Sequence, residues 1–285
     1  MLLDGNVTSG RAWSVVIPVK SLSAAKTRLD PTARESADLA LAFFQDTVGA
    51  VRACPAVGEV LVATTDPQIV EHARSSGCIV VSDDGHPGIN AAARHAAEQR
   101  VGGTGVAVIV SDLPCLTAES LSAVLAAAGG HVISFLADAD GDGTTMWFST
   151  DSGPIDPRFG VGSRAAHVAA GAADLVEIEP ALGVDVVPAR RDVDTRVTLD
   201  QARGLGLGPH TLAILGAIPG GPADRSVLTV AGVAGHGVRV VDEDGVVSVL
   251  PHELVAAAGL RDLHRGQRLA VQLRPDGVAV AISLP

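Results

Sequence analysis

From Ser14 to about Arg203 the chain alternates short apolar runs with longer segments of helical periodicity. Ser14–Val19, reading S-V-V-I-P-V, predicts a first strand, and a polar loop rich in Ser, Lys and Ala follows it. Ala33–Ala53 carries Leu39, Leu41, Phe43, Phe44, Val48 and Val51 largely at helical spacing. Glu59–Thr64 predicts a second strand, and Pro67–Ser76 a helix with Asp66 as N-cap and Pro67 at its first position. Cys78–Val81 and an Ala-rich helix over Gly88–Arg100 come next. Val106–Val110 contains no polar residue, as in a parallel strand covered on both faces. Thr117–Ala128 is a helix opened by an incomplete capping box of Thr117 and Ser120 around Glu119, and His131–Leu136 is a fifth strand. Strands alternating with helices of about 10–15 residues are the sequence form of a doubly wound α/β sheet.

After Gly208 the pattern breaks. Pro209, Pro219, Gly220, Gly221 and Pro222 punctuate a stretch that reads as a linker. From Arg225 the texture changes to short strands over Val227–Val233, Gly237–Asp242, Val246–Leu250, Arg268–Leu273 and Val278–Ile282, with Asp-Gly turns at 244–245 and 276–277. Residues 1–210 are thus expected to form one α/β domain, 211–225 a linker, and 226–285 a small β-barrel of OB or SH3 type.

Composition narrows the function. The 285 residues are 47% hydrophobic and 19% charged, enough for a full core, and the formal charge of −11 argues against a general nucleic-acid or membrane-surface binder. Aromatics are only 2% with no Tyr, which disfavours base stacking on an aromatic platform. No apolar run reaches the roughly 20 residues that span a bilayer. No export signal is visible, and Cys54, Cys78 and Cys115 lack a C-x-x-C spacing, so a reduced, cytoplasmic protein is expected. Of the 21 Lys plus Arg only two are Lys, Lys20 and Lys26, both in the first loop. In a chain that elsewhere uses Arg, they mark places where a compact ammonium is wanted, unless two residues have clustered by chance.

Ligands of an open parallel sheet sit at the carboxyl ends of its strands. The first strand is followed by Pro18-Val-Lys20 through Lys26-Thr-Arg28, the third by Ser82-Asp-Asp-Gly-His86-Pro-Gly88-Ile-Asn90, the fourth by Ser111-Asp112-Leu-Pro, and the fifth by Asp138 through Gly141-Asp142-Gly143-Thr144. Cations on one loop and carboxylates on others suit a polyphosphate held partly by metal. The first loop is neither a P-loop nor a G-x-G-x-x-G turn, which disfavours Walker ATPases and dinucleotide dehydrogenases. Asp112 is either the cap of a short turn or a ligand of a divalent ion. The ligand reading needs partners, and Asp192 and Asp194, two apart on an extended segment, supply two on one face. Gly160-Val-Gly162-Ser163 before a helix over Arg164–Ala170 reads as a backbone anion site with Ser163 as cap, though ordinary capping explains it equally. Histidines 86, 95 and 167 read as structural, His167 sharing a helical face with Ser163.

Together PVKSLSAAKTRL, SDDGHPGIN, SDLPCL, GDGTT, DPRFGVGSRAAH and RDVDT, in that order, resemble the CofC/FbiD family of guanylyltransferases of coenzyme F420 biosynthesis. The likeness runs from about Trp13 to Thr211. It implies a Rossmann-like, MobA-like nucleotidyltransferase α/β/α sandwich that couples GTP to phosphoenolpyruvate, releasing pyrophosphate, with Mg²⁺ as cofactor. By position, Asp112, Asp192 and Asp194 resemble the family's metal-binding aspartates. Thr144, Gly160 and Ser163 match its phosphoenolpyruvate contacts. Lys20, Lys26 and Arg28 match the catalytic triphosphate loop, and Pro18 with Gly88 and Asn90 the nucleotide-binding stretches. Asp142 stands where relatives commonly carry Thr, which places a carboxylate near an anionic substrate. The tail faintly resembles a cold-shock barrel, but every Phe lies at or before Phe159 and neither Trp is in it. It is therefore expected to have lost nucleic-acid binding and to serve packing or a homodimer contact.

The sister activities, with 2-phospho-L-lactate or 3-phosphoglycerate as acceptor, use the same loops. A molybdenum-cofactor guanylyltransferase is a more distant reading, since that family's Gly-rich first loop is missing. A non-enzymatic nucleic-acid-binding regulator built on the tail is the contrasting class, and it requires a basic, aromatic-bearing tail that the sequence lacks.

Overall fold

The computed structural model describes residues 13–22, 33–102, 105–178, 182, 186–217, 225–234, 237–241, 247–250, 255–256, 260, 263–273 and 279–283. The chain divides into two compact units, Met1–Thr211 and Leu212–Pro285.

In the first unit, strands β1 (Trp13–Pro18), β2 (Val57–Ala63), β3 (Ile79–Val81) and β4 (Gly105–Ile109) alternate with helices α1 (Ala33–Ala53), α2 (Pro67–Ser75) and α3 (Ile89–Glu98). Helix α4 (Ala118–Ala128), β5 (Ile133–Ala137), β6 (Thr144–Ser149), α5 (Ser163–Ala169), β7 (Ala173–Asp174) and α6 (Leu175–Ile178) follow, then α7 (Val187–Arg190) and α8 (Arg196–Leu205). The seven strands described make one sheet in the order β3-β2-β1-β4-β6-β5-β7. Strands β1 to β4 are mutually parallel where they pair, whereas β6 runs antiparallel to both β4 and β5.

The continuous apolar runs have a simple cause: both faces of the sheet are covered. Val15, Ile17, Ala107, Ile109, Val60 and Val62 pack on one side with Phe44 and Val48 of α1, Ile69 of α2 and Leu121 and Leu125 of α4. The alternate residues Val16, Leu61, Val106 and Val108 pack on the other with Ala92, Ala93 and Ala96 of α3. This is the three-layer α/β/α arrangement expected from the sequence. Asp66 does cap α2, and Thr117 with Ser120 completes a capping box on α4.

Two readings need correction. Residues 144–149 are a strand, not the end of a loop: T-T-M-W-F-S is buried at every position, so it shows no alternation. Inserting it antiparallel between β4 and β5 needs only the short turn over 138–143. The expected linker from 211 begins inside helix α9 (Pro209–Ala217), whose start is held by the buried Asp46 carboxylate of α1. That group accepts the His210 and Thr211 N–H at 2.9 Å each.

The second unit contains β8 (Arg225–Ala234), β9 (Gly237–Val241), β10 (Val247–Leu250), β11 (Arg268–Leu273) and β12 (Ala279–Ser283). They pair antiparallel in the order β10-β9-β8-β11-β12 over a core that includes Leu228, Val230, Val240, Leu269 and Val271. The five strands expected in the tail are present as a sheet; the Asp-Gly turns at 244–245 and 276–277 lie outside the described residues. Among the described residues no helix is long and apolar enough to cross a membrane.

Candidate active site

The chain leaves β1 toward β2 on one side, and β4 lies on the other, so the sheet order reverses between β1 and β4. That is where an α/β sheet opens a crevice beyond its carboxyl ends. Pro18 closes β1, buried opposite Ala63. Beyond it Val19 N–H donates to the Ala63 carbonyl at 2.9 Å, and Leu22 N–H donates to Asp66 Oδ2 at 2.9 Å. Asp66 Oδ1 meanwhile accepts the Gln68 and Ile69 N–H at the start of α2, so one carboxylate both caps a helix and fastens the first loop. Lys20 stands exposed between these two anchors. Lys26 and Arg28 lie outside the described residues.

The acidic half is built around Asp112, just past β4. Its neighbour Leu113 donates its N–H to the buried Thr47 hydroxyl of α1 at 3.1 Å, and that hydroxyl donates to the Phe43 carbonyl at 2.8 Å. Val193 N–H donates to the Asp112 carbonyl at 3.1 Å, with the Val193 side chain fully buried. Inward Val193 leaves Asp192 and Asp194 on the opposite side of the extended segment. One carboxylate oxygen from each of Asp112, Asp192 and Asp194 lies within 4.8 Å of the others. Hard divalent ions favour a set of carboxylate oxygens gathered at this spacing. The residues therefore fit a divalent metal.

The segment bearing the second and third aspartates is stitched to the sheet by residues the sequence reading did not single out. The Arg190 guanidinium donates to the Ala137 and Asp138 carbonyls at 3.0 and 2.8 Å, and Thr145 Oγ1 donates to the Ala189 carbonyl at 2.9 Å. Arg191, only 8% exposed, pairs with Asp140 at 2.9 Å. The sequence signal of the two arginines is their place directly before Asp192, Arg191 opening the R-D-V-D-T run.

Thr144 opens β6 and, because that strand is reversed, stands at the same sheet edge as Asp112; Val110 N–H donates to the neighbouring Thr145 carbonyl at 3.0 Å. In the turn before it, the Asp138 carboxylate accepts the N–H of Gly141, Asp142 and Gly143 at 2.6, 3.1 and 2.9 Å. A Cβ at Gly143 would collide with that carboxylate, which explains the glycine. Asp142 itself is exposed, and its carbonyl accepts the Arg164 N–H at 3.2 Å.

Gly162, with φ of 67°, is the N-cap of α5, so Ser163 is the first helical residue and not the cap. Ser163 N–H donates to the Gly160 carbonyl at 3.1 Å and Arg164 N–H to the Asp142 carbonyl at 3.2 Å, so the first two helical amides of the backbone anion site read from this glycine pattern are engaged within the protein. What buried Ser163 retains for a ligand is its hydroxyl. Gly160 lies beside it with φ of 137°. Across the site Gly88, at φ of 86°, precedes α3. The Asn90 amide donates to the Phe159 carbonyl at 2.9 Å and accepts the Phe159 N–H at 2.8 Å. Asn90 thus ties the first turn of α3 to the D-P-R-F-G loop, a role its motif did not reveal.

His167 on α5 is fully buried, its Nδ1 at 3.1 Å from Thr144 Oγ1 and its Nε2 accepting the Arg158 N–H at 2.9 Å. Burial first, and the Arg158 cation second, push its pKa down to about 4, against smaller opposing effects from the Ser163 carbonyl and Asp156.

The family model described as guanylyl transferase CofC like matches residues 13–175. This chain belongs to that family. A phosphoenolpyruvate guanylyltransferase of Salinispora arenicola is 42% identical over 222 residues, covering 76% of this chain and 99% of that protein. One of Thermomonospora curvata is 44% identical over 216 residues, 73% of this chain and 90% of its own. Among solved structures, a nucleotidyl transferase from Methanothermobacter thermautotroptrophicus is 17% identical, with a TM-score of 0.48 over 71% of this chain and 98% of that one. The CofC match ends at residue 175, so Asp192 and Asp194 lie beyond it, yet the fold returns them to Asp112 inside it.

Proposed function

We propose that this CofC-family chain is a phosphoenolpyruvate guanylyltransferase, joining GTP to phosphoenolpyruvate to give enolpyruvyl-2-diphospho-5'-guanosine and pyrophosphate on the path to coenzyme F420. The observation that carries the reading is the convergence of Asp112, Asp192 and Asp194 at the switch point of the sheet, beside the loop that begins with Lys20.

In this reaction an oxygen of the phosphoenolpyruvate phosphate attacks the α-phosphorus of GTP. A new P–O–P bond forms, the bond from the α-phosphorus to the bridging oxygen breaks, and pyrophosphate leaves with the electron pair. A phosphate monoester is largely ionised at neutral pH, so no protein base has to remove a proton. The protein's work is alignment and charge. Lys20, with Lys26 and Arg28 of the same loop, places cations along the triphosphate, the two lysines as point charges and Arg28 as a fork. Pro18 and Gly88 border the nucleotide, with Asn90 holding its loop against Phe159. Thr144, Gly160 and Ser163 hold the acid. Asp112, Asp192 and Asp194 would hold Mg²⁺, which supplies charge neutralisation at the phosphates when bound.

The three cysteines are buried and unpaired, which suits a cytoplasmic setting. We read the second unit as a degenerate cold-shock or OB-like barrel that serves packing or a homodimer contact, with no nucleic acid or membrane partner.

Pyrophosphate release from GTP, measured with phosphoenolpyruvate, 2-phospho-L-lactate and 3-phosphoglycerate in turn, tests the assignment. The expected result is turnover with phosphoenolpyruvate that EDTA abolishes. Turnover with another acid alone reassigns the substrate, and no release with any of them overturns the reading.

A further inference from the structure

We propose that His167 is a positioning residue that locks the Thr144 hydroxyl as a hydrogen-bond donor to the bound acid, so that this end of the site accepts an anionic oxygen and rejects a donor. The inference rests on the reading of Thr144 as an acid contact.

Donor and acceptor chemistry fixes the tautomer of the ring. A backbone amide only donates, and Arg158 N–H points at His167 Nε2 at 2.9 Å. Nε2 is therefore the bare nitrogen, and the single proton of a neutral ring sits on Nδ1. Nδ1 is 3.1 Å from Thr144 Oγ1, with the Ser163 carbonyl as a second acceptor beside the ring, and a nitrogen that carries its proton cannot accept, so the threonine accepts in this bond. A hydroxyl that accepts from one side keeps its own proton for another partner, and among the described residues none accepts it from Thr144.

The ring is prevented from turning over. Phe135 stacks on it at 5.2 Å between centroids, and Phe159 meets it edge-on at 5.8 Å. Phe159 is itself fastened by Asn90. A flipped ring would break both hydrogen bonds of a fully buried imidazole. The threonine proton is thus oriented before substrate arrives, which removes an ordering cost from binding. A neutral imidazole supplies a donor at one ring corner and an acceptor at the other from one rigid side chain, and this explains a histidine here without any acid–base role.

The two half-mimics separate this role from simple support. His167→Asn offers an amide N–H near the Nδ1 position and gives up the acceptor for Arg158. His167→Gln offers an acceptor near Nε2 and gives up the donor to Thr144. Both should lose some thermal stability. KM for phosphoenolpyruvate and for GTP, and kcat, are read by pyrophosphate release. Thr144→Val should raise KM for phosphoenolpyruvate about tenfold or more, the worth of one hydrogen bond to a charged group, with KM for GTP unchanged. His167→Gln should match it, His167→Asn should stay within about threefold of wild type, and adding His167→Gln to Thr144→Val should cost nothing further. Equal KM effects for the two His167 variants, or additivity in the double variant, overturns the proposal and leaves a support role only. Should both His167 variants prove unstable, Thr144→Ser carries the test, since its hydroxyl should restore the wild-type KM and failure to do so counts against the proposal. If instead the wild-type protein does not turn over phosphoenolpyruvate at all, it is the substrate reading that has failed.

Discussion

Thr47 offers the sharpest test of how the scaffold reaches the metal-fitting corner. Its side chain is fully buried in α1, donates to the Phe43 carbonyl at 2.8 Å and lies 3.3 Å from the Ser111 carbonyl. It also accepts the N–H of fully buried Leu113 at 3.1 Å. The contacts to Ser111 and Leu113 fall on the two residues that flank Asp112. Thr47→Val keeps the shape and removes the oxygen, which strands the Leu113 amide without a partner. A buried amide left unpaired costs about 1–3 kcal/mol. Taking about 2 kcal/mol, a unit of this size should melt about 4–8 °C lower. Because Asp112 is displaced with its neighbours, the Mg²⁺ concentration needed for half-maximal pyrophosphate release should rise about tenfold, the usual scale for a group that supports a ligand from behind. Thr47→Ser restores the acceptor and should recover most of both effects. A Thr47→Val protein that melts within about 1 °C of wild type, with an unchanged Mg²⁺ midpoint, would show that the hydroxyl neither supports the loop nor aims Asp112.

Asp112→Asn should lower kcat about a hundredfold or more while circular dichroism and the unfolding midpoint hold steady; retention of most activity would remove Asp112 from the metal set. Asn90→Ala breaks both bonds to the Phe159 backbone and should destabilise the first unit by about 1–3 kcal/mol. It should also raise KM for the phosphorylated acid, because Phe159 precedes Gly160, and unchanged constants for both substrates would refute the coupling. His167 binds a proton in the unfolded chain near its ordinary 6.5 but only at about 4 when folded. Stability should therefore fall as pH drops from about 6.5 toward 4 and level off below, since the unfolded state takes up protons that the folded ring refuses. Urea midpoints at several pH values should show a shallower acid slope for His167→Gln, and equal slopes would exclude the ring as the source.

The parallel half of the sheet was legible because its physics is local. Val106–Val110 can only be buried on both faces, Asp66 and Pro67 can only begin a helix economically, and a residue following such a strand falls at the carboxyl edge. That rule pointed to Asp112, and together with the scarcity of lysine it pointed to Lys20. Asp192 and Asp194 followed from the two-residue period, with Val193 buried between them as an extended segment demands. Asn90, Thr47 and Arg191 were not legible as supports, since each acts through a partner far away in the chain: Phe159 for Asn90, Leu113 for Thr47, Asp140 for Arg191. No pattern within a window of ten or so residues encodes such a pairing.

Thr144 was misplaced for a different reason, and that reason bears on how the site is assembled. Parallel strands deliver to the crevice only the loops past their carboxyl ends, so β1 and β4 contribute Lys20 and Asp112 from beyond their last residues. An antiparallel strand delivers its first residues instead, and these already lie in a hydrogen-bonded ladder. Thr144 thereby stands on rigid backbone, paired to β5 through Ala137, and its neighbour Thr145 anchors the segment that carries Asp192 through the Ala189 carbonyl. The reversed strand thus joins Thr144, the threonine proposed to hold the acid, and the second metal-fitting carboxylate to one edge of one sheet. A threonine on a loop would have needed ordering with each turnover, whereas here the cost was met in folding. For the same reason the turn before it satisfies its own amides on Asp138, so in the proposed complex it is the hydroxyl of Thr144, and not the glycine backbone, that is left to meet the acid.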